Sequence, residues 1–143
     1  MTLRFDGQVV AVSGAGHGLG QAIADMFRHA GAQVHGCDLT ASEAVDAVDL
    51  TDRTAGAAWI SGIETATGQA VDVLVNNAGG VAGQVFQPLE NVTDADWDRV
   101  LAVNLGATFA LSRAVTPGMK RAGRGRIVMI SSGAGLQASL TGI

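Results

Sequence analysis

The sequence predicts an α/β fold with a doubly wound parallel sheet, and two observations support this prediction. First, short apolar runs rich in β-branched residues alternate along the chain with segments of helical periodicity. Second, these runs are apolar at nearly every position, which is typical of strands that are buried on both faces. Strands that alternate with helices imply right-handed βαβ crossovers, and these place helices on both sides of a parallel sheet.

The elements follow one another without an interdomain linker or an internal repeat, so we expect a single domain over residues 1–143. Strands are expected at residues 8–13, 33–37, 71–75 and 126–131, and residues 39–52 are polar around a short apolar segment. A weak helix is expected at residues 53–68. A stronger one precedes it, with apolar residues at helical spacing: Leu19, Ile23, Met26, Phe27 and Ala30.

A long helix is predicted to begin at Thr93. Threonine is a good N-cap residue, and Asp96 supplies the acidic third position of a capping box. The helix runs towards Lys120. Pro117 is expected to end or bend it, because proline lacks the N–H group that a helix interior requires.

The composition excludes several classes of protein. With 48% apolar and 15% charged residues, the chain can bury a core and is neither disordered nor fibrous. The net charge of −4 argues against a nucleic-acid partner, and no apolar run approaches the roughly 18 residues that span a membrane. No signal peptide and no metal site are predicted. The lone cysteine, Cys37, fits a reducing compartment, and we expect a cytoplasmic protein.

A glycine-rich turn, SGAGHGLG at residues 13–20, joins the first predicted strand to the first helix. A sharp turn of this kind needs residues without a Cβ, and the helix start presents free N–H groups to a pyrophosphate. No Gly-Lys-Ser/Thr sequence follows, which disfavours a Walker-type phosphate loop. The alternative is a merely tight turn. The order of strand, helix, second strand and acidic residue nevertheless favours a Rossmann-type dinucleotide site.

Asp38 lies eighteen positions after Gly20, at the end of the second predicted strand. A carboxylate at this place can accept hydrogen bonds from both ribose hydroxyls of an adenosine and would repel a 2′-phosphate. It therefore favours NAD over NADP as the cofactor, with an ordinary strand-end aspartate as the alternative. We interpret His17 as a loop histidine, although its protonated form would favour a phosphate.

Two motifs resemble those of the short-chain dehydrogenase/reductase family, and the resemblance covers the whole chain. The glycine-rich turn matches the family pattern Thr-Gly-x-x-x-Gly-x-Gly with Ser13 in place of threonine, and residues 76–79 match Asn-Asn-Ala-Gly. The resemblance implies an NAD(P)-dependent oxidoreductase that moves a hydride between nicotinamide and a small carbonyl or alcohol substrate. It also implies a homotetramer or homodimer.

The resemblance also implies roles for individual residues. The turn would line the pyrophosphate, Asp38 would bind the adenosine ribose, and Asp49 with Leu50 would frame the adenine. Residues 77–79 would pass along the nearer ribose, whereas Asn76 is expected mainly to satisfy backbone groups of neighbouring strands. The cofactor-binding residues implied are Ser13, Gly14, His17, Gly18, Leu19, Gly20, Asp38, Asp49, Leu50, Asn77, Ala78 and Gly79.

Asn104 is the first candidate catalytic residue. It follows Trp97, Val100 and Leu101 at offsets of seven, four and three, which predicts that it lies on the apolar face of its helix, where an amide needs partners. A satisfied core asparagine is one interpretation. The family pattern Trp-x-x-x-x-x-Val-Asn-Leu instead implies that Asn104 holds a water in a proton relay.

Ser132 is the second candidate, because it follows the last predicted strand and ligands bind at the carboxyl ends of such strands. The resemblance implies that it donates a hydrogen bond to the substrate oxygen, with Ser131 as the alternative. The family's catalytic tyrosine would fall two positions beyond Ile143. The sequence has no tyrosine, and Lys120 is its only lysine.

These departures predict an incomplete chain that is inactive alone and whose sheet lacks its last strands. The strand at residues 126–131 would then form an unpaired apolar edge. A non-catalytic dinucleotide-binding protein is the alternative function. The presence of Asn104 and Ser132 at matching places favours the oxidoreductase.

Overall fold

A computed structural model describes residues 3–85 and 87–136, and these form a five-stranded sheet in which neighbouring strands are parallel. The order across the sheet is β3-β2-β1-β4-β5. The strands are β1 (Val9–Ser13), β2 (Gln33–Asp38), β3 (Val45–Ala47), β4 (Val73–Asn76) and β5 (Arg126–Met129). The parallel sheet predicted from the sequence is confirmed.

The central strand β1 is buried on both faces, as its continuous apolar sequence predicts. Val9 and Ala11 join a core with helix α2 (Arg53–Thr67) and helix α4 (Ala107–Ala122). Val10 and Val12 join a second core on the opposite face, against helix α1 (Gly18–His29). Helices therefore cover both faces of the sheet, and the doubly wound architecture is confirmed.

The predicted capping box at Thr93 is present. The backbone N–H of Asp96 donates to Thr93 Oγ1 at 3.2 Å, and that hydroxyl donates to Asp96 Oδ2 at 2.7 Å. Helix α3 (Asp94–Leu101) begins here and continues through a π turn (Ala102–Gly106) into α4. Short 3₁₀ turns at Leu89–Asn91 and Gly133–Gly135 complete the described elements.

Pro117 does not end the long helix, because α4 runs past it to Ala122. Pro117 and Arg113, one turn earlier, are both exposed. The carbonyl that proline deprives of a partner therefore lies on the solvent side, where water can satisfy it. The helix ends instead at Gly123, which adopts the left-handed conformation (φ 67°).

Two strands differ from their prediction. The three-residue strand β3 falls inside the segment that the sequence analysis left without an element, because only a short apolar stretch marks it. Strand β5 ends at Met129, and all four of its residues are exposed, so the expectation of a buried strand is wrong for the described chain. In residues 3–85 and 87–136, β5 pairs with β4 alone and forms the expected apolar edge.

Within residues 3–85 and 87–136, one helix meets the length and composition criteria for a membrane span: the continuous helix Asp94–Ala122, which has 29 residues and a mean hydropathy of 1.2 in its most apolar window. This is weak evidence, since helices in the core of soluble proteins meet the same criteria. Leu111 and Val115 of this helix pack in one core with Ile60 and Ile63 of α2, which makes it part of the helical layer of the α/β fold.

Candidate functional site

A cavity of about 810 Å³ opens at the carboxyl ends of β1, β2 and β4, where ligands bind in sheets of this kind. It brings together ten of the twelve residues predicted to bind a cofactor. These ten are Gly14, His17, Leu19, Gly20, Asp38, Asp49, Leu50, Asn77, Ala78 and Gly79. A smaller and more open cavity of about 420 Å³ lies at the other end of the sheet, beside Glu64 and Arg121, away from these residues.

The glycine-rich turn is built by two close approaches of backbone. Gly14 has a φ of +66°, and a Cβ on it would lie 2.9 Å from Cα of Ala78. A Cβ on Gly20 would collide with the carbonyl oxygen of Gly14 and with the side-chain amide of Asn77. Helix α1 starts immediately inside this turn, at Gly18. The free N–H groups at its start therefore lie beside the cavity, where an anionic group can reach them.

Ser13 does not line the cavity, and its hydroxyl holds the neighbouring loop instead. Its Oγ accepts hydrogen bonds from the backbone N–H groups of Asn77 at 3.1 Å and Ala78 at 3.0 Å. The residue is buried, so these bonds are shielded from water. Ser13 is thus placed to position the loop after β4, while Gly18 begins α1 and also lies outside the cavity lining.

Asp38 lies at the end of β2 with its carboxylate directed to the turn. Oδ2 accepts from the N–H of Gly16 at 2.9 Å, and Oδ1 accepts from the N–H of Leu39 at 2.7 Å. A carboxylate has about four acceptor positions, so both oxygens can accept further hydrogen bonds. The group is therefore fixed in place and still able to receive two hydroxyl donors from the cavity.

Asp49 and Leu50 line the cavity on the far side of Asp38 from the turn. Oδ1 of Asp49 accepts from the hydroxyl of Thr51 at 2.7 Å and from its backbone N–H at 2.9 Å, and these bonds lower the pKa of the carboxyl below its ordinary value. Leu50 is buried and contributes apolar surface. This part of the cavity combines an apolar wall with an anionic, hydrogen-bonding rim.

Two adjacent asparagines, Asn76 at the end of β4 and Asn77 directly after it, hold different parts of the fold with their side chains. Asn77, not Asn76, satisfies backbone groups beside β1, since its Nδ2 donates to the carbonyls of Ser13 at 3.2 Å and Gly14 at 3.1 Å. The Nδ2 of the buried Asn76 donates to Ser112 Oγ on α4 at 3.2 Å. The expectation that Asn76 mainly pairs with neighbouring strands through its side chain is therefore wrong.

Asn104 lies in the π turn and is exposed, so the prediction that it faces the core is wrong. Trp97 and Leu101, which define the predicted face, are exposed as well. The reason is that the helix packs through its small and branched residues after the π turn, including Ala110 and Leu111. The amide of Asn104 still finds partners, because it bonds to both backbone polar groups of Gly80 and donates to the carbonyl of Val100 at 2.8 Å.

Ser132 follows β5 and is exposed, outside the lining of the cavity. Its Oγ accepts from the N–H of Ala134 at 3.2 Å and so caps the 3₁₀ turn Gly133–Gly135. The hydroxyl proton is not used by this bond and can be donated. Ser131 is exposed too, and it stays an alternative.

Several cavity-lining residues were missed by the sequence analysis. The loop after β4 contributes Ala82 and Gly83, and the helix that follows contributes Arg99 and Val103. The last two are four positions apart and lie within the Asn104 motif itself, so helical spacing could have identified them as a pair on one face. The loop residues carry no comparable signal.

Comparison with known proteins identifies the family. The family model of short chain dehydrogenases matches residues 8–143. A short chain dehydrogenase of Emericella variicolor is 39% identical over 146 residues, with 95% of this chain and 57% of the relative covered. D-threitol dehydrogenase of Mycolicibacterium smegmatis is 36% identical over 144 residues, with 90% of this chain and 54% of the relative covered. The chain thus spans little more than half the length of these two relatives.

A solved structure gives the same result. The structure of 7α-hydroxysteroid dehydrogenase in complex with NADH and 7-oxo glycochenodeoxycholic acid superimposes with a TM-score of 0.86 at 32% identity. The match covers 96% of this chain and 58% of that protein. Sequence, fold and the arrangement of the glycine-rich turn therefore agree, and this chain belongs to the short-chain dehydrogenase family.

Proposed function

We propose that this chain binds NAD(H) and forms the cofactor-binding part of an oxidoreductase acting on a small carbonyl or alcohol substrate. The observation that carries the proposal is the single cavity that gathers the glycine-rich turn, Asp38 and the loop residues 77–79. Each of these offers the kind of group that one part of a dinucleotide requires. The membership of the short-chain dehydrogenase family, whose named relatives include dehydrogenases, points in the same direction.

The chemistry of the cavity fits NAD better than NADP. The pyrophosphate would lie at the start of α1, where backbone N–H groups are free and a helix dipole favours negative charge. The adenosine ribose would donate its hydroxyls to the Asp38 carboxylate, which Gly16 and Leu39 already hold in place. A 2′-phosphate at this position would meet the charge of Asp38 at short range, which disfavours it.

The reaction proposed is transfer of a hydride between the nicotinamide of the cofactor and a substrate carbon. The chain's own residues would position the reactants. The loop residues 77–79 would orient the nicotinamide-side ribose, and Asn104 fixes that loop through Gly80. Ser132 would donate its hydroxyl proton as a hydrogen bond to the substrate oxygen, since its Oγ accepts from Ala134 and leaves the proton free.

A non-catalytic dinucleotide-binding protein is the second candidate. The 143 residues contain no tyrosine, and their one lysine, Lys120, lies in the last turn of α4 at the end of the sheet away from the cavity. Neither of the family's usual proton-transfer groups is therefore present beside Ser132 in this sequence. Under this second function the chain would bind NADH without turnover.

A titration with NADH, monitored by cofactor fluorescence, tests the NADH binding that both functions share. The intact mass of the purified protein is measured alongside it. Saturable binding with preference over NADPH is expected. Absence of NADH binding by a folded chain, shown folded by circular dichroism, would overturn the proposal. Binding with turnover of carbonyl or alcohol substrates would favour the oxidoreductase. Binding without turnover by a protein with the 14.5 kDa mass of this sequence would favour the non-catalytic protein.

We further propose that the protein is cytoplasmic and forms a homodimer or homotetramer. Exposed apolar side chains on the α3–α4 helix, such as Leu105 and Phe109, support self-association. Light scattering after size-exclusion chromatography measures the mass in solution, and a monomer at micromolar concentration would contradict this expectation.

A further inference from the structure

Arg99 lines the cofactor cavity, and nothing in the function proposed above gives it a role. It belongs to α3, and Val103, four positions later, lines the same cavity. The helix therefore presents a guanidinium and a branched apolar side chain, one above the other, to the space that a dinucleotide would fill. A cation on the wall of this cavity can bind a complementary group of the ligand.

The wall beside Arg99 is apolar. Val48 and Leu50, which follow β3, line the cavity together with Val103. Leu50 approaches the long helix closely, since a Cβ on Gly56 would lie 3.5 Å from a methyl of Leu50 and 3.4 Å from a methyl of Leu111. The segment after β3 and the long helix both line one cavity, in which Val48, Leu50 and Val103 form an apolar recess. An apolar recess can hold a flat aromatic ring, but its side chains provide no hydrogen-bond donor for a phosphate.

The guanidinium of Arg99 is free to turn towards the recess. Its side chain is 57% exposed, and its ion pair with Asp96 is long, with 3.7 Å between Nη1 and Oδ1. The carboxylate of Asp96 already accepts hydrogen bonds from the hydroxyl of Thr93 at 2.7 Å and from the amide of Gln84 at 2.8 Å. Arg99 can therefore break its ion pair with Asp96, because the carboxylate keeps its two other hydrogen bonds.

Charge in the rest of the cavity also limits what Arg99 can bind. Among the described residues that line it, Arg99 is the one arginine or lysine, and Asp38 and Asp49 are the carboxylates. The pyrophosphate has its own site at the backbone N–H groups of the glycine-rich turn, on the wall formed by α1. A planar guanidinium above an apolar recess stacks well on an aromatic face, to which the cation is attracted electrostatically.

We propose that Arg99 packs face-on against the adenine of the bound dinucleotide, covering the ring on the side opposite Val48 and Leu50. This inference rests on the proposed NAD(H) binding and adds a specificity-determining residue to it. Arg99 would make the site prefer a purine base by attracting its π-face. The interaction needs both the positive charge and the planar shape of the side chain.

Competition experiments separate this role from a general attraction of anions. NADH is titrated into wild type, Arg99→Ala, Arg99→Gln and Arg113→Ala by fluorescence, and uncharged adenosine is then used to displace it. Arg113 is a matched control because it lies on the same long helix and stacks on Phe109, with 5.0 Å between Cζ and the ring centroid, outside the cavity lining.

Both Arg99 variants are expected to weaken binding of NADH and of adenosine by about two- to fivefold, the factor that an exposed cation–π contact supplies. Arg113→Ala should bind both as wild type does. The inference is overturned if the Arg99 variants lose affinity for NADH and not for adenosine, which would place Arg99 at the phosphates. It is also overturned if neither ligand is affected. Failure of the wild type itself to bind NADH would instead overturn the proposed function.

Discussion

Asn104 holds Gly80 by both of its backbone polar groups: its Oδ1 accepts from the Gly80 N–H at 2.9 Å, and its Nδ2 donates to the Gly80 carbonyl at 2.7 Å. On the other side of the same loop, Ser13 Oγ accepts from the N–H groups of Asn77 and Ala78. The loop that lines the cavity is therefore fixed by two side chains that do not line it. Its position depends on a helix and a strand that are far apart in the sequence.

The first prediction follows from the two hydrogen bonds between Asn104 and Gly80. Asn104→Ala removes the bonds to Gly80, and we expect it to lower the free energy of unfolding by about 1–2 kcal/mol and to weaken NADH binding by about tenfold. Urea denaturation and NADH titration measure the two effects. Thr108→Val is the control, since Thr108 donates to the Asn104 backbone carbonyl at 2.9 Å and takes no part in the hydrogen bonds between Asn104 and Gly80. NADH affinity that is unchanged in Asn104→Ala would contradict the positioning role.

The second prediction concerns the closest backbone approach in the turn. Gly20→Ala places a Cβ against the carbonyl of Gly14, which cannot move without displacing the loop after β4. We expect a loss of stability of about 1–3 kcal/mol from overpacking, together with loss of measurable NADH binding. Gly62→Ala, in the exposed middle of α2 with nothing within 4 Å of the new Cβ, should instead stabilise the protein by about 0.5–1 kcal/mol.

Thermal unfolding and NADH titration of both glycine variants decide this prediction. If Gly20→Ala bound NADH as wild type does, the close packing of the turn against the loop would not be required for the cofactor.

The third prediction concerns the choice of cofactor. Asp38→Ser removes the charge that a 2′-phosphate would meet but keeps a hydrogen-bonding side chain. The ratio of NADPH to NADH affinity is expected to rise by about tenfold or more, equivalent to about 1.4 kcal/mol. Asp25→Ser, which removes a half-exposed carboxylate on α1, controls for the change in net charge. An unchanged ratio in Asp38→Ser would mean that Asp38 does not contact the adenosine ribose.

The fourth prediction concerns the buried carboxylate of Asp72, which joins three parts of the fold. Its Oδ2 accepts from the N–H of Val9 at 2.9 Å, and its Oδ1 accepts from Nε of Arg124 at 2.8 Å. Because Asp72 is only 5% exposed, Asp72→Ala would leave a buried N–H without a partner. We expect a loss of about 2–4 kcal/mol in urea denaturation.

Asp6→Ala is the matched control for Asp72, because it removes an exposed carboxylate that also pairs with an arginine, Arg4. It should leave the denaturation midpoint nearly unchanged. Equal effects of the two variants would contradict the importance of burial at Asp72.

The sequence predicted the sheet and the cavity better than it predicted the helix that closes the cavity. Continuous apolar strands and the glycine-rich turn are local signals, so β1 and the position of Asp38 followed from them directly. Asn104 was expected in the core because its offsets place it with Trp97 and Leu101, but these side chains are themselves exposed in the described chain. The π turn and the packing of α4 on α2 through smaller residues are tertiary properties that spacing alone does not reveal. Arg99 was missed although its spacing of four positions from Val103, which lines the same cavity, could have identified it.

The last prediction concerns the dependence of stability on pH and involves His35. This residue lies on β2, and its Nε2 is buried without a hydrogen-bond partner in the part of the chain that the structure describes. Burial lowers the pKa of His35 below its ordinary value of 6.5, and the charge of Asp46 opposes this only in part. The unfolded chain therefore binds a proton at a pH where the folded chain does not. Above about pH 6.5, His35 should not lower the free energy of unfolding. As the pH falls below about 6.5, the free energy of unfolding should decrease, because the unfolded chain takes up a proton that the folded chain does not.

Urea denaturation between pH 5 and pH 8 measures this effect. The described carboxylates with lowered pKa values, Asp6, Asp49 and Asp96, change charge below this range. His35→Gln removes the titrating group, and its midpoint should depend less on pH across this window than that of wild type. A His35→Gln variant with the full wild-type slope would show that His35 is equally protonated in the folded and unfolded chains, because only a difference in bound protons makes stability depend on pH.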